Sequence, residues 1–275
     1  MISKNPGHKL GCSTTLFGKS SRLFFSLFLC LMIIAKTRAN EITIPTVTIL
    51  ADEAYPPYSY LENGQLKGIY INLLLRAADE IYPHYKIKLE PAPWKRALKE
   101  VENSHALAVI PPYKHLEARP YIWPYSIALR AESVVAFCHK DVNLNHFVQI
   151  PLEEKPPLIV GINSGYLILN DTLKLAKKQG KIRIWENKVT GANIKKLVAR
   201  RLDCFLNDRD STLWELARIQ RSEPDINFNQ IYEAMLVMTN TAHIGYSNTA
   251  NTKYPHKQDF VRRMNEALIK ALSGQ

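Results

Sequence analysis

The sequence predicts an α/β protein of two lobes with a cleft where they meet. Three observations carry that expectation. Short apolar runs of strand length alternate with stretches of helical period. The alternation is interrupted near residue 133 and then starts again, giving two successive β-α-β units. Beyond this there is no internal repeat, coiled-coil heptad or long biased tract in the 275 residues. A chain of that length can build one large core or two smaller ones.

The N-terminus comes first. Residues 1–39 hold Lys4, Lys9, Lys19, Arg22, Lys36 and Arg38 and no acid, and residues 23–35 (LFFSLFLCLMIIA) are almost wholly apolar. A thirteen-residue run is shorter than the about 20 apolar residues a spanning helix needs. It suits the core of a signal peptide, with Thr37 and Ala39 as the small residues before a cut after Ala39. The expected product is therefore periplasmic. Losing those six basic residues lowers the net charge from +11 to +5. The charges that remain are interspersed, with no basic stripe to track phosphates, so nucleic acid is not an expected partner.

In the first lobe, residues 40–130, strands are expected at 47–51 (VTILA), 87–89 and 106–110 (ALAVI). Between them lie a helix over 69–82, stopped by Pro83, and a short one over 96–102. The second lobe, residues 131–235, starts with a strand at 133–138 (SVVAFC). A Pro-rich linker at 151–157 follows, then strands at 158–162, 182–185 and 203–206. Helices are expected over 167–179, closed by Gly180, and over 192–200, with Thr190 as the cap. Residues 236–275 return to the first lobe through a strand at 243–246 and a helix over 259–272, whose Phe260, Met264, Ala267, Leu268 and Ala271 form one stripe. In open α/β sheets ligands bind beyond the carboxyl ends of the strands, so two such lobes would share a site between them.

No cofactor or metal is expected: the chain has no CxxC, no His/Cys cluster at ligand spacing and no phosphate loop. Cys138 and Cys204 are the cysteines outside the signal segment, an even pair for an oxidising compartment.

Several segments in order resemble the family 3 periplasmic solute-binding proteins of the polar amino acid type. They are 51–80 (ADEAYPPYSYLENGQLKGIYINLLLRAADE), Pro93-Trp94-Lys95-Arg96-Ala97-Leu98, 119–126 (RPYIWPYS), 160–165 (VGINSG) and 202–208 (LDCFLND). The resemblance implies a type II periplasmic-binding fold with the cleft between its lobes. It further implies Arg119 for a ligand carboxylate, Asp208 for its ammonium, and Tyr55 and Trp94 as flanking aromatics. Gly165 and Tyr166 would open the second lobe's contribution. Arginine's planar fork suits a carboxylate, and a ligand held by both lobes would favour closure. Lys114 and Leu116 stand where the family has Thr-x-Thr, and Tyr166 where it has Thr or Ser. Lys114 would supply a replacement cation and favour a more anionic ligand. The implied fold also sets Cys138 and Cys204 on adjacent strands, open to forming a disulfide.

The expected function is capture of a small polar solute by a monomer that delivers it to a membrane permease. Two alternatives stay open: an enzyme on the same fold, such as a cyclohexadienyl dehydratase using Asp52, Glu53 or Glu117, and a receptor reporting to a membrane sensor.

Overall fold

The computed structural model describes residues 43–150, 156–248 and 253–274, and the expected signal peptide, residues 1–39, and most of the 151–157 linker lie outside them. In the first lobe β1 (Thr46–Asp52) is apolar and buried from Ile49 to Ala51. A three-stranded hairpin sheet follows: β2 (Ala54–Tyr55), β3 (Ser59–Glu62) and β4 (Gln65–Lys67). Asn63 and Gly64, both at positive φ (51° and 77°), make the tight turn between β3 and β4. Helix α1 (Ile69–Ile81) buries Tyr70, Ile71, Leu73, Leu74, Ala77 and Ile81, the period-3.6 face visible in the sequence. Then come β5 (Lys86–Ala92), α2 (Trp94–Glu102), β6 (Ala108–Ile110) and the edge strand β7 (Ile122–Tyr125).

The second lobe is entered by β8 (Arg130–His139) and continues with α3 (Leu144–Gln149), β9 (Leu158–Asn163), α4 (Asp171–Lys178), β10 (Ile182–Asn187) and α5 (Thr190–Val198). Next are β11 (Cys204–Asp208), α6 (Arg209–Ser222) and β12 (Ile231–Ala242). The chain then returns through β13 (Gly245–Ser247) and α7 (Lys257–Ser273). The expected return at 236 falls inside β12, which stays paired with β8 as far as Ala242 opposite Arg130.

The first sheet has the order β5-β1-β6-β13-β7 and the second β10-β9-β11-β8-β12. In each, three parallel strands are extended by antiparallel ones. Both sheets bury apolar clusters on both faces, as sheets covered by helices must. Residues Ile44–Gln275 group as one unit, and the long β8/β12 pair is the connection through which the chain enters and leaves the second lobe.

Two local expectations are corrected. Thr190 does not cap α5: Val189 occupies the cap position, and the Thr190 hydroxyl instead accepts from Asn163 Nδ2 at 2.9 Å. The helix expected from 167 begins at Asp171, because Asn170 accepts the Leu173 N–H and caps it there. Cys138 and Cys204 face one another across the antiparallel β8–β11 pair and are joined as a disulfide. Among the described residues no helix is long and apolar enough to cross a membrane, and no group of three or more ligating side chains could hold a metal ion.

Candidate functional site

The carboxyl ends of β1, β6, β9 and β11 converge on one pocket, which is where an open α/β sheet places a ligand. Asp52, Tyr55, Trp94, Pro111, Tyr113, His115, Arg119, Tyr166, Asn207 and Asp208 contribute to its wall. The first six and Arg119 come from the first lobe. Tyr166, Asn207 and Asp208 come from the second.

Arg119 sits in the segment between β6 and β7, held by a turn in which its N–H donates to the His115 carbonyl at 2.8 Å. It is only 5% exposed. Its Nη2 donates to the Gly165 carbonyl at 2.8 Å, and its guanidinium lies 5.4 Å from the Trp94 ring centroid. Among the described residues it has no carboxylate partner, and burial lowers its pKa. That is an expensive position for a cation, since a buried charge normally needs a counter-charge.

Asp208 ends β11 and caps α6, accepting the Ser211 N–H at 2.8 Å and the Tyr58 hydroxyl at 3.0 Å. A helix N-terminus favours the ionised form. Burial nevertheless wins and raises the carboxyl's pKa. Asp52 ends β1, accepts the Ala54 N–H at 3.0 Å and the Tyr166 hydroxyl at 3.2 Å, and is pushed up to about 7 by burial. His115 moves the other way, down to about 4, by burial and then by the neighbouring Arg119.

Behind the pocket Glu132 on β8 accepts hydroxyls from Tyr55 (2.5 Å), Tyr113 (2.6 Å) and Tyr70. Burial and the Asp208 charge outweigh those three donors and push its carboxyl to about 7. Sequence reasoning missed Glu132; the available signal was an acid opening the apolar run 133–138. It also missed His115 and Asn207. Two buried polar atoms of cleft residues, Trp94 Nε1 and Asn207 Oδ1, have no hydrogen-bond partner.

Of the sequence-predicted residues, Tyr55, Trp94, Arg119, Tyr166 and Asp208 come together at this pocket, and Gly165 reaches it through its carbonyl. Lys114 does not. Neighbouring side chains of an extended segment point opposite ways. Tyr113 turns inward to Glu132, whereas Lys114 is exposed and lines an adjoining groove, with Lys174 and Lys177, that shares His115, Tyr166, Leu167 and Ile168 with the pocket.

Residues 47–274 match the family described as bacterial extracellular solute-binding proteins, family 3. The chain belongs to that family. Comparison with curated proteins finds no match. Solved structures similar to this family 3 protein include an ancestral amino-acid-binding protein described as a precursor of cyclohexadienyl dehydratase. It has 16% identity, a TM-score of 0.61, and coverage of 83% of this chain and 89% of that one. An ancestral arginine-binding protein bound to arginine has 14% identity and a TM-score of 0.61, covering 83% and 92%. A histidine kinase sensor domain similar to periplasmic binding proteins has 11% identity and a TM-score of 0.64, covering 83% and 91%. At these identities the likeness shows the fold, a type II periplasmic-binding fold, and no more.

Proposed function

We propose that this family 3 protein is exported and captures a small polar solute, an amino acid or related zwitterion, between its lobes for delivery to a membrane permease. The observation that carries the reading is Arg119, a buried guanidinium without a carboxylate, on the opposite lobe from the buried carboxylate of Asp208. A zwitterion supplies the missing partner to each. Its carboxylate would pair with the Arg119 fork and its ammonium would meet Asp208, with Tyr55 and Trp94 offering apolar faces. Trp94 Nε1 and Asn207 Oδ1 are a spare donor and acceptor for the same solute. Asp52 and Asp208 line the pocket wall against Arg119, the one Lys or Arg that lines it. A solute carrying at least one cation therefore fits this wall better than a purely anionic one.

Thermal-shift measurements with amino acids, dicarboxylates and polyamines test this. A ligand at a hundred times its dissociation constant should stabilise the protein by about 2.7 kcal/mol. Arg119→Ala should abolish that shift, and a shift that survives the substitution would refute the assignment. One observation favours a second reading, a dehydratase on this fold: Asp52 lines the cleft with its carboxyl near neutrality, where acid–base catalysis works best. Turnover of prephenate or arogenate that is lost in Asp52→Asn would select it.

A further inference from the structure

The corner after β9 fills the cleft with the protein's own groups. A turn closed by the Tyr166 N–H on the Asn163 carbonyl (3.1 Å), with Gly165 at φ +83°, thrusts Tyr166 out of the second lobe toward the first. Glycine suits that position. The φ is left-handed, and a Cβ there would meet Lys95 Cγ at 3.0 Å and Trp94 Cδ1 at 3.4 Å. The Tyr166 ring then stands edge-on to Tyr55, centroids 5.8 Å apart at 89°, and to Trp94 at 6.4 Å and 83°. It packs against the apolar clusters of both lobes. Its hydroxyl donates to Asp52, and the adjoining Gly165 carbonyl accepts from Arg119. Between these groups the pocket itself keeps ≈ 30 Å³, room for water but about a tenth of a small ligand site, and an exposed groove of ≈ 630 Å³ adjoins it along His115 and Tyr166.

We propose that Tyr166 is an internal occupant of the solute site and the residue that sets which solutes enter. The contacts of this corner stand for ones that a solute must replace: the Gly165 carbonyl as an acceptor for Arg119, the Tyr166 ring as a flat group against Tyr55 and Trp94, and the Tyr166 hydroxyl as a donor for Asp52. The solutes that displace it are those carrying all three, such as an amino acid with an aromatic or guanidinium side chain ending in a donor. The free energy that seats Tyr166 is subtracted from solute affinity, because solute binds only the fraction of molecules in which the corner has withdrawn. This rests on the solute-capture reading, but its test needs no solute.

Tyr166→Gly leaves a space of the shape of a cresol. Thermal unfolding and small-angle scattering of the mature chain, with and without 4-methylphenol, read the result. The variant should be more open than wild type, and 4-methylphenol should raise its Tm and close it while leaving wild type unchanged. A variant as closed as wild type, or one that responds to 4-methylphenol no more than wild type does, overturns the proposal. If the glycine variant does not fold, Tyr166→Phe decides. It keeps the ring and loses the Asp52 bond, so it should open measurably in scattering, and a profile identical to wild type would overturn the proposal. Failure here leaves solute capture standing. A solute screen that is negative for both wild type and Tyr166→Gly would instead count against capture itself.

Discussion

Glu132 receives three phenolic hydroxyls and its carboxyl still rises to about 7. Each donor favours the ionised form, so desolvation together with the Asp208 charge is the larger effect. Its folded pKa thus lies above the ordinary 4.5. Between about pH 4.5 and 7 the unfolded chain releases this proton first, and the contribution to stability falls as pH rises through that window. Urea unfolding of wild type and Glu132→Gln at both ends of the window checks this. The loss of stability on going to pH 7 should shrink in the variant by on the order of 2 kcal/mol, and an unchanged loss would remove Glu132 from the account. Arg119 makes a second residue-scale prediction. Arg119→Lys keeps the charge but not the planar fork, so solute affinity should drop at least about tenfold. Titration calorimetry would show it. That Arg119 and Asp208 line one pocket was legible in the sequence because they stand in motifs. Glu132 was not, because its role depends on three tyrosines brought together from positions 55, 70 and 113.

At the scale of elements, legibility followed the regularity of the burial pattern. Helix α1 and strands β1 and β9 carry clean apolar periods and were readable. Strand β12 was not read, because bulges between Glu233 and Met235 and between Leu236 and Met238 shift its side-chain alternation twice. Strand β7 contains Pro124, tolerable because it lies at a sheet edge. Helix α6 escaped because it buries a mainly polar face, Ser211, Thr212 and Glu215 with Ile219, where an apolar stripe was sought. One member of that polar face supports a cleft residue: Thr212 accepts from Asn207 at 3.3 Å. Two predictions belong here. Gly68 precedes α1 at φ 127°, and a Cβ would sit 2.2 Å from the Tyr58 carbonyl oxygen. Gly68→Ala should therefore cost at least about 1 kcal/mol of unfolding free energy, and a neutral result would refute the close approach. The Cys138–Cys204 bond closes 66 residues of chain. By the loop-entropy account its loss should cost about 4 kcal/mol. Denaturation of a Cys138→Ser/Cys204→Ser double variant measures it, and unchanged stability would contradict it.

For the whole molecule, two sheets joined by the β8/β12 pair set the strand ends of both lobes around a single pocket. The two-lobed grammar was visible in the sequence because each lobe repeats it. The identity of the inward-facing side chains was only partly visible, as His115 and Asn207 show, since direction at a loop depends on the register of its neighbours. Export is tested by Edman sequencing of the mature protein, which should begin at Asn40. Solute capture turns on Arg119 and Asp208 facing a solute from opposite lobes. Calorimetric titration of the mature protein with individual amino acids and polyamines tests it most directly. Saturable one-to-one binding of at least one of them is expected, lost in both Arg119→Ala and Asp208→Asn. Binding that persists in both variants, or no binding by the wild type to any of them, would contradict it.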